Sequence, residues 1–217
     1  MAGIEFHSYD PAKGHGLRHN PLNAIIAPRP IGWISSLDAK GCANLAPYSF
    51  FNALNYDPPI IGFSAIEWKD SVRNASQTGE FVWNLVTRDL GERMNATAAP
   101  VAAEVDEFEL AGLTPIASQA VKAPRVAESR ASMECKVIDV VQYRDIEGNP
   151  VEGWMVLGQV VAVHIDKSLI EDGVYQTAKA LPILRAGGMN DYVQVLPENM
   201  FQIMRPPGAG SPLHHGA

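Results

Sequence analysis

Two long runs rich in valine and isoleucine, residues 131–143 and 154–165, are separated by a link that contains the polar segment Arg144-Asp145-Ile146-Glu147-Gly148-Asn149-Pro150. β-Branched residues favour a pleated strand, and a short polar link joins two strands only as antiparallel neighbours. A long hairpin is therefore expected in the second half of the chain, and any sheet built on it starts out antiparallel. The first half adds shorter strand signals. Residues 31–37 crowd Ile, Trp and Ser ahead of Asp38-Ala39-Lys40-Gly41, a polar turn whose glycine suits a positive φ. Residues 42–51 read as the return strand, Pro58-Pro59 leads into an apolar run at 60–64, and residues 81–86 give one strand more.

Between these strands lie two short helical signals, 70–79 and 89–96. The first has Asp70 or Ser71 as a cap and Gly79 at its end. Residues 98–127 carry three prolines and mixed polarity, which predicts a loop-rich excursion around 106–110. Strands separated by short helices, without regular βαβ alternation, favour a mainly β fold: an antiparallel barrel with helical insertions rather than a doubly wound parallel sheet.

A chain of 217 residues with 47% hydrophobic composition can bury a full core without metal or disulfide staples, and one large domain is expected. Cys42 and Cys135 lie far apart and outside any Cys-x-x-Cys, so they read as two reduced thiols of a cytoplasmic protein. No basic start followed by an apolar run opens the sequence, and no stretch reaches the roughly 20 apolar residues that cross a bilayer. The reading is a soluble, unexported protein with no membrane partner. A net charge of -7 and a pI near 5.3 argue against nucleic acid and require any anionic ligand to be held by a few local donors. The histidines at 7, 15, 19, 164, 214 and 215 show no ligand spacing, so no metal site is expected, and His164 reads as structural. Signatures for a Rossmann nicotinamide site, a P-loop, a zincin or a nucleophile-elbow hydrolase are absent from the sequence. The tail after Arg205 is expected to be flexible.

Three segments could carry chemistry. In Asn44-Leu45-Ala46-Pro47-Tyr48-Ser49-Phe50-Phe51-Asn52, small polar groups alternate with aromatics, which suits the edge and face of a flat heteroaromatic ring. Lys69-Asp70-Ser71-Val72-Arg73-Asn74 places a cation and a hydroxyl at the start of a predicted helix, where free N–H groups and the helix dipole attract a phosphate. In Ala27-Pro28-Arg29-Pro30-Ile31-Gly32-Trp33-Ile34-Ser35-Ser36, two prolines fix the entry, Gly32 permits close approach, and Ser35 and Ser36 could line a ligand. Read one by one, the same residues also suit a packed strand, an ordinary helix cap and a surface charge. A fourth segment, Arg185-Ala186-Gly187-Gly188-Met189-Asn190-Asp191-Tyr192, is a glycine loop that could be a lid or an interface turn.

Taken together, Arg29-Pro30-Ile31-Gly32-Trp33-Ile34-Ser35, Asn44 to Phe51 and Lys69-Asp70-Ser71 followed by Asn74 resemble the flavin-reductase-like family of FMN-binding split barrels. The resemblance continues through Gly79 to Val86, Asp106-Glu107-Phe108, Ala111-Gly112-Leu113, residues 124–129, Gly187-Gly188 and Tyr192, in family order. It implies a split β-barrel of antiparallel, Greek-key type over residues 23–197, with an N-terminal extension at 1–22 and a C-terminal tail at 198–217. It also implies a homodimer with FMN at its interface. The ring would run along Trp33, Ser35, Ser36, Asn44, Ala46, Pro47, Tyr48, Ser49 and Phe50, with the phosphate near Lys69, Asp70, Ser71 and Asn74. The implied activity is NAD(P)H-dependent flavin reduction, NADH or NADPH giving hydride to FMN, often in service of a partner oxygenase. No side chain is then needed as acid or base, because the flavin carries the chemistry. The alternative is a non-enzymatic FMN-binding protein for electron transfer or flavin storage.

Overall fold

The computed structural model describes residues 3–102, 105–204 and 206. Its strands are β1 (Gly32–Leu37), β2 (Ala43–Tyr48), β3 (Phe51–Asn55), β4 (Ile60–Ile66), β5 (Glu80–Asn84), the small pair β6 (Pro115–Ile116) and β7 (Arg125–Val126), and the long hairpin β8 (Ala131–Arg144) and β9 (Pro150–Ile165). Two further hairpins follow, β10 (Ile170–Glu171) with β11 (Val174–Tyr175) and β12 (Ile183–Arg185) with β13 (Tyr192–Gln194). The helices are α1 (Leu22–Ile25), α2 (Asp70–Thr78), α3 (Gly91–Ala96) and α4 (Glu107–Leu110). Seven strands form one antiparallel sheet in the order β2-β1-β5-β8-β9-β4-β3, the mainly β split barrel that the sequence implies.

The expected hairpin is the spine of this sheet, and its partner strand begins at Pro150, four residues earlier than the apolar run suggests. The return strand expected over 42–51 is instead two strands, because the chain turns at Ser49-Phe50. That corner closes the barrel. β2 and β3 are the two edges of the sheet, yet only two residues separate them, so Tyr48 and Phe51 lie within about 11 Å of each other. The edges come together without pairing, which is what splits the barrel. Phe51 reaches across the seam and stacks on Trp83 of β5, with ring centroids 5.8 Å apart and planes 4° from parallel. Gly32 makes room for it, since a Cβ there would stand 2.8 Å from the Phe51 ring.

Period-two alternation divides the buried residues of β1 and β2 between two layers. Ile34 and Tyr48 join Phe63, Val72, Phe81, Cys135 and Val156 inside the barrel, where α2 lies against the sheet. Trp33 and Leu45 point the other way, into a second core with Met94, Phe108 and Val126. The excursion over 98–127 is less irregular than expected because two buried carboxylates tether it. Glu134 accepts from the N–H groups of Gln119 (2.8 Å), Ala120 (2.5 Å) and Val121 (3.2 Å), and Glu80 from those of Lys122 and Ala123. His164 lies 2.7 Å from Glu134, the structural role its sequence position suggests. Cys42 is exposed, Cys135 is buried, and both are free. No helix among the described residues is long and apolar enough to cross a membrane. The expected flexible tail beyond 206 and its His214-His215 pair lie outside the described residues.

Gly32→Ala should destabilise the fold by about 1–3 kcal/mol, because the new methyl meets Phe51 near its Cβ as well as on its ring. Urea unfolding followed by tryptophan fluorescence checks this. An unchanged midpoint would mean that the seam is loosely packed.

Candidate functional site

Strand parity decides which of the sequence-selected residues meet. Ser36 and Asn44 are register partners on β1 and β2. They sit on the face turned toward α2, together with Ala46 and Tyr48, and α2 contributes Ser71 and Asn74. Ser71 Oγ donates to Asn44 Oδ1 at 2.8 Å, Asn74 Nδ2 donates to Ser36 Oγ at 3.2 Å, and Ser36 Oγ lies 3.4 Å from Asn44 Oδ1. All four polar residues are at least nine-tenths buried, and Asn74 Oδ1 is left without a donor. Trp33 and Ser35 have the opposite parity and no solvent exposure. The Trp33 indole donates to Thr97 Oγ1 at 3.0 Å, while the Ser35 hydroxyl donates to the Pro124 carbonyl and accepts from Asn84. Both sit behind the site and line none of its open surface.

In front of the network lies a cleft of about 420 Å3, lined by Asn44, Ala46, Pro47, Tyr48, Glu67, Lys69, Asp70 and Ser71 on one side and by residues 97–101 and Glu107 on the other. Two of the three segments singled out in the sequence thus converge on it. The helix start differs from the expected cap. Lys69 is the N-cap and makes no side-chain capping bond, Asp70 pairs with Arg73 at 2.5 Å, and the Ser71 hydroxyl is spent on Asn44. The first-turn N–H groups of α2 therefore lack a side-chain acceptor, the condition under which a helix terminus attracts an anion.

Glu107 is the residue that sequence reading left without a role, although Asp106-Glu107-Phe108 belongs to the resemblance. Asp106 caps α4 by accepting from the Phe108 N–H at 2.8 Å. This turns Glu107 inward, where Oε1 accepts from Asn44 Nδ2 at 3.1 Å and Oε2 from the Leu45 N–H at 3.0 Å. Burial pushes the Glu107 carboxyl above its ordinary value, the Leu45 and Asn44 donors oppose that, and the Asp70 charge adds to it. Burial likewise pushes the Tyr48 phenol up to about 12, so it stays a neutral wall of the cleft.

Ser49 and Phe50, the remaining residues of the aromatic strip, lie past the corner. They line a separate groove of about 660 Å3 with Arg29, Leu54, Tyr143 and Met155. Phe50 is 37% exposed, and Arg29 stands 5.7 Å from its ring centre.

A family model for the flavin reductase like domain matches residues 26–183, a span that contains β1 to β9, the cleft and the corner. The chain belongs to that family. A protein of Aquifex aeolicus is 36% identical over 170 residues, covering 76% of this chain and 83% of its own length. The crystal structure of nitrilotriacetate monooxygenase component B from Bacillus cereus superposes with a TM-score of 0.80 at 30% identity, covering 94% of this chain and 98% of that one. Flavoredoxin of Desulfovibrio vulgaris shares the fold at a TM-score of 0.71 and 21% identity, over 85% of this chain and 94% of its own. Membership of the flavin reductase like family establishes a flavin-related function for the chain and points to oxidoreductase chemistry.

Because the folded state raises the Glu107 carboxyl, protonation favours folding, and the folded protein is progressively handicapped as pH rises from the ordinary carboxylate value of 4.5 through the raised titration. Glu107→Gln gives up one accepted hydrogen bond at every pH but never ionises. Its urea midpoint should therefore gain on that of the parent as pH rises from 4.5 through the raised Glu107 titration. A gap that stays constant with pH would contradict this placement of the charge.

Proposed function

We propose that the chain is an FMN-binding flavoprotein and an NAD(P)H-dependent flavin reductase, with the FMN phosphate at the start of α2. The observation that carries this reading is the nine-residue helix whose uncapped first turn opens, beside Lys69 and Ser71, into a cleft walled by Tyr48 and Pro47. A phosphate there would receive backbone N–H groups and the Lys69 ammonium, while the Ser71 hydroxyl, donated to Asn44, holds the turn in place. The three carboxylates lining the cleft do not forbid it, since Asp70 is paired with Arg73, Glu107 is held by two donors, and Glu67 is exposed to screening by water. Asn74, one turn along the same face, is buried behind the cleft, where it donates to Ser36 and supports the Asn44 network.

In this arrangement the ring lies along Ala46, Pro47 and Tyr48 toward Ser49 and Phe50, while Trp33 and Ser35 hold β1 in place from behind and Ser36 holds Asn44. Bound FMN supplies a two-electron acceptor for the hydride of NADH or NADPH. The chain's own residues bind and orient it, and none is assigned as an acid or base. We take residues 23–197 as the functional unit. We further propose a homodimer, because Phe50, Leu54, Ile66 and Trp68 leave apolar surface open around the corner groove. A monooxygenase partner is suggested by the Bacillus cereus relative, itself a monooxygenase component.

Steady-state oxidation of NADH and of NADPH with added FMN tests the activity. Turnover with either supports it, and tight FMN retention without turnover would favour the alternative of a flavin carrier, in keeping with the shared flavoredoxin fold. Replacing Lys69 and Ser71 together by alanine should weaken FMN by about 10–100-fold and riboflavin by much less, since Lys69 serves only the phosphate and Ser71 fixes the helix turn that receives it. Equal losses would refute the phosphate placement.

A further inference from the structure

Arg29 and Arg185 face each other as a hydrogen-bonded antiparallel pair: the Arg29 N–H donates to the Arg185 carbonyl and the Arg185 N–H to the Arg29 carbonyl, both at 2.9 Å. Such a pair places its two side chains on the same face with Cα atoms about 5.5 Å apart, and like charges so placed repel. Arg29 is only 7% exposed. One of its terminal nitrogens donates to the Asn23 carbonyl, the other lies 3.5 Å from the Ala186 carbonyl, and Nε is buried without a partner. Arg185 donates to the carbonyls of Asp191 and Met189 and lies over Tyr192. Among the described residues neither guanidinium has an ion-pair partner.

Both arginines line a pocket of about 980 Å3 with His19, Asn20, Asn23 and Ser49, and among the described residues no Asp or Glu lines it. Its walls come from the N-terminal segment and the glycine loop, neither of which the flavin cleft uses. Gly187 lets them meet, since a Cβ there would stand 2.4 Å from the Ala24 Cα. Two buried or half-buried cations, held side by side without a carboxylate, are stabilised by an anion that accepts from both forks.

We infer that Arg29 and Arg185 form an oxyanion seat for a phosphoryl or carboxylate group of the molecule that exchanges hydride with the flavin. The identity of that molecule rests on the flavin reading above, whereas oxyanion binding does not. Ser49, past the corner, lines the seat, and the seat shares no lining residue with the α2 cleft. The two seats therefore address different anionic groups. The group could belong to the pyrophosphate of a nicotinamide nucleotide or to a small organic carboxylate.

Calorimetric titration of the full chain, with and without FMN, using inorganic pyrophosphate and separately benzoate tests this inference. Binding of either probe is expected, weakened about tenfold or more by Arg185→Gln with FMN affinity unchanged within about twofold. Pyrophosphate binding alone identifies a nucleotide, and benzoate binding alone a carboxylate substrate. Because Arg185 also ties down its own turn, a salt series on the parent protein is the second readout: binding should weaken as salt rises. Neither probe binding at millimolar concentration, equal binding in Arg185→Gln, or indifference to salt would overturn the seat. A chain that binds FMN but neither probe loses only the seat. One that holds pyrophosphate but no flavin keeps the seat and loses the flavin reading.

Discussion

The 2.8 Å hydrogen bond from Ser71 to Asn44 ties the first turn of α2 to β2, and the site is built around it. Asn44 is held on its other side by Glu107, which also takes the Leu45 N–H, so strand, helix and excursion share one buried polar network. In a low-dielectric interior such a network tolerates little displacement, because each unmet donor or acceptor costs about 1–3 kcal/mol. The helix start is thereby held rigidly beside the cleft, with its N–H groups facing outward and its side-chain cap diverted inward.

A second constraint is the corner at Ser49-Phe50. By joining the two edge strands through two residues, it brings the end of β2 beside β3 and β4 and places the α2 cleft and the corner groove on either side of one short strip. The same chain segment thus serves three purposes: it closes the barrel, walls the cleft and exposes apolar surface. Arg29, beneath Phe50 and opposite Arg185, connects that corner to the glycine loop.

Much of this was legible in the residues. The valine-rich hairpin, the turn at Asp38 to Gly41 and the helix ending at Gly79 follow from local chemistry, and the structure forms each of them. The break at Ser49-Phe50 was not legible, because Tyr48, Phe50 and Phe51 all favour a strand and a single serine is too weak a turn signal among them. It is imposed by closure, a tertiary demand. Asp70 looked like a cap for a sound reason, but its carboxylate found Arg73 one turn on. Trp33 and Ser35 were grouped with Ser36 by adjacency in sequence, whereas the period of two sends them to the opposite layer. Glu107 could have been suspected from an acid placed right after a capping aspartate and before a core phenylalanine, a pattern that turns it inward. The hairpins after residue 169 are too short to announce themselves by periodicity.

The central claim is that a phosphate docks on the first turn of α2, and amide chemical shifts read that turn directly. In 1H–15N spectra of the uniformly labelled protein, FMN should move the Ser71 and Val72 amide protons strongly downfield, while riboflavin should perturb the Ala46 to Phe50 strip and leave those two amides in place. Identical shifts at Ser71 and Val72 from both flavins, or none from either, would contradict it.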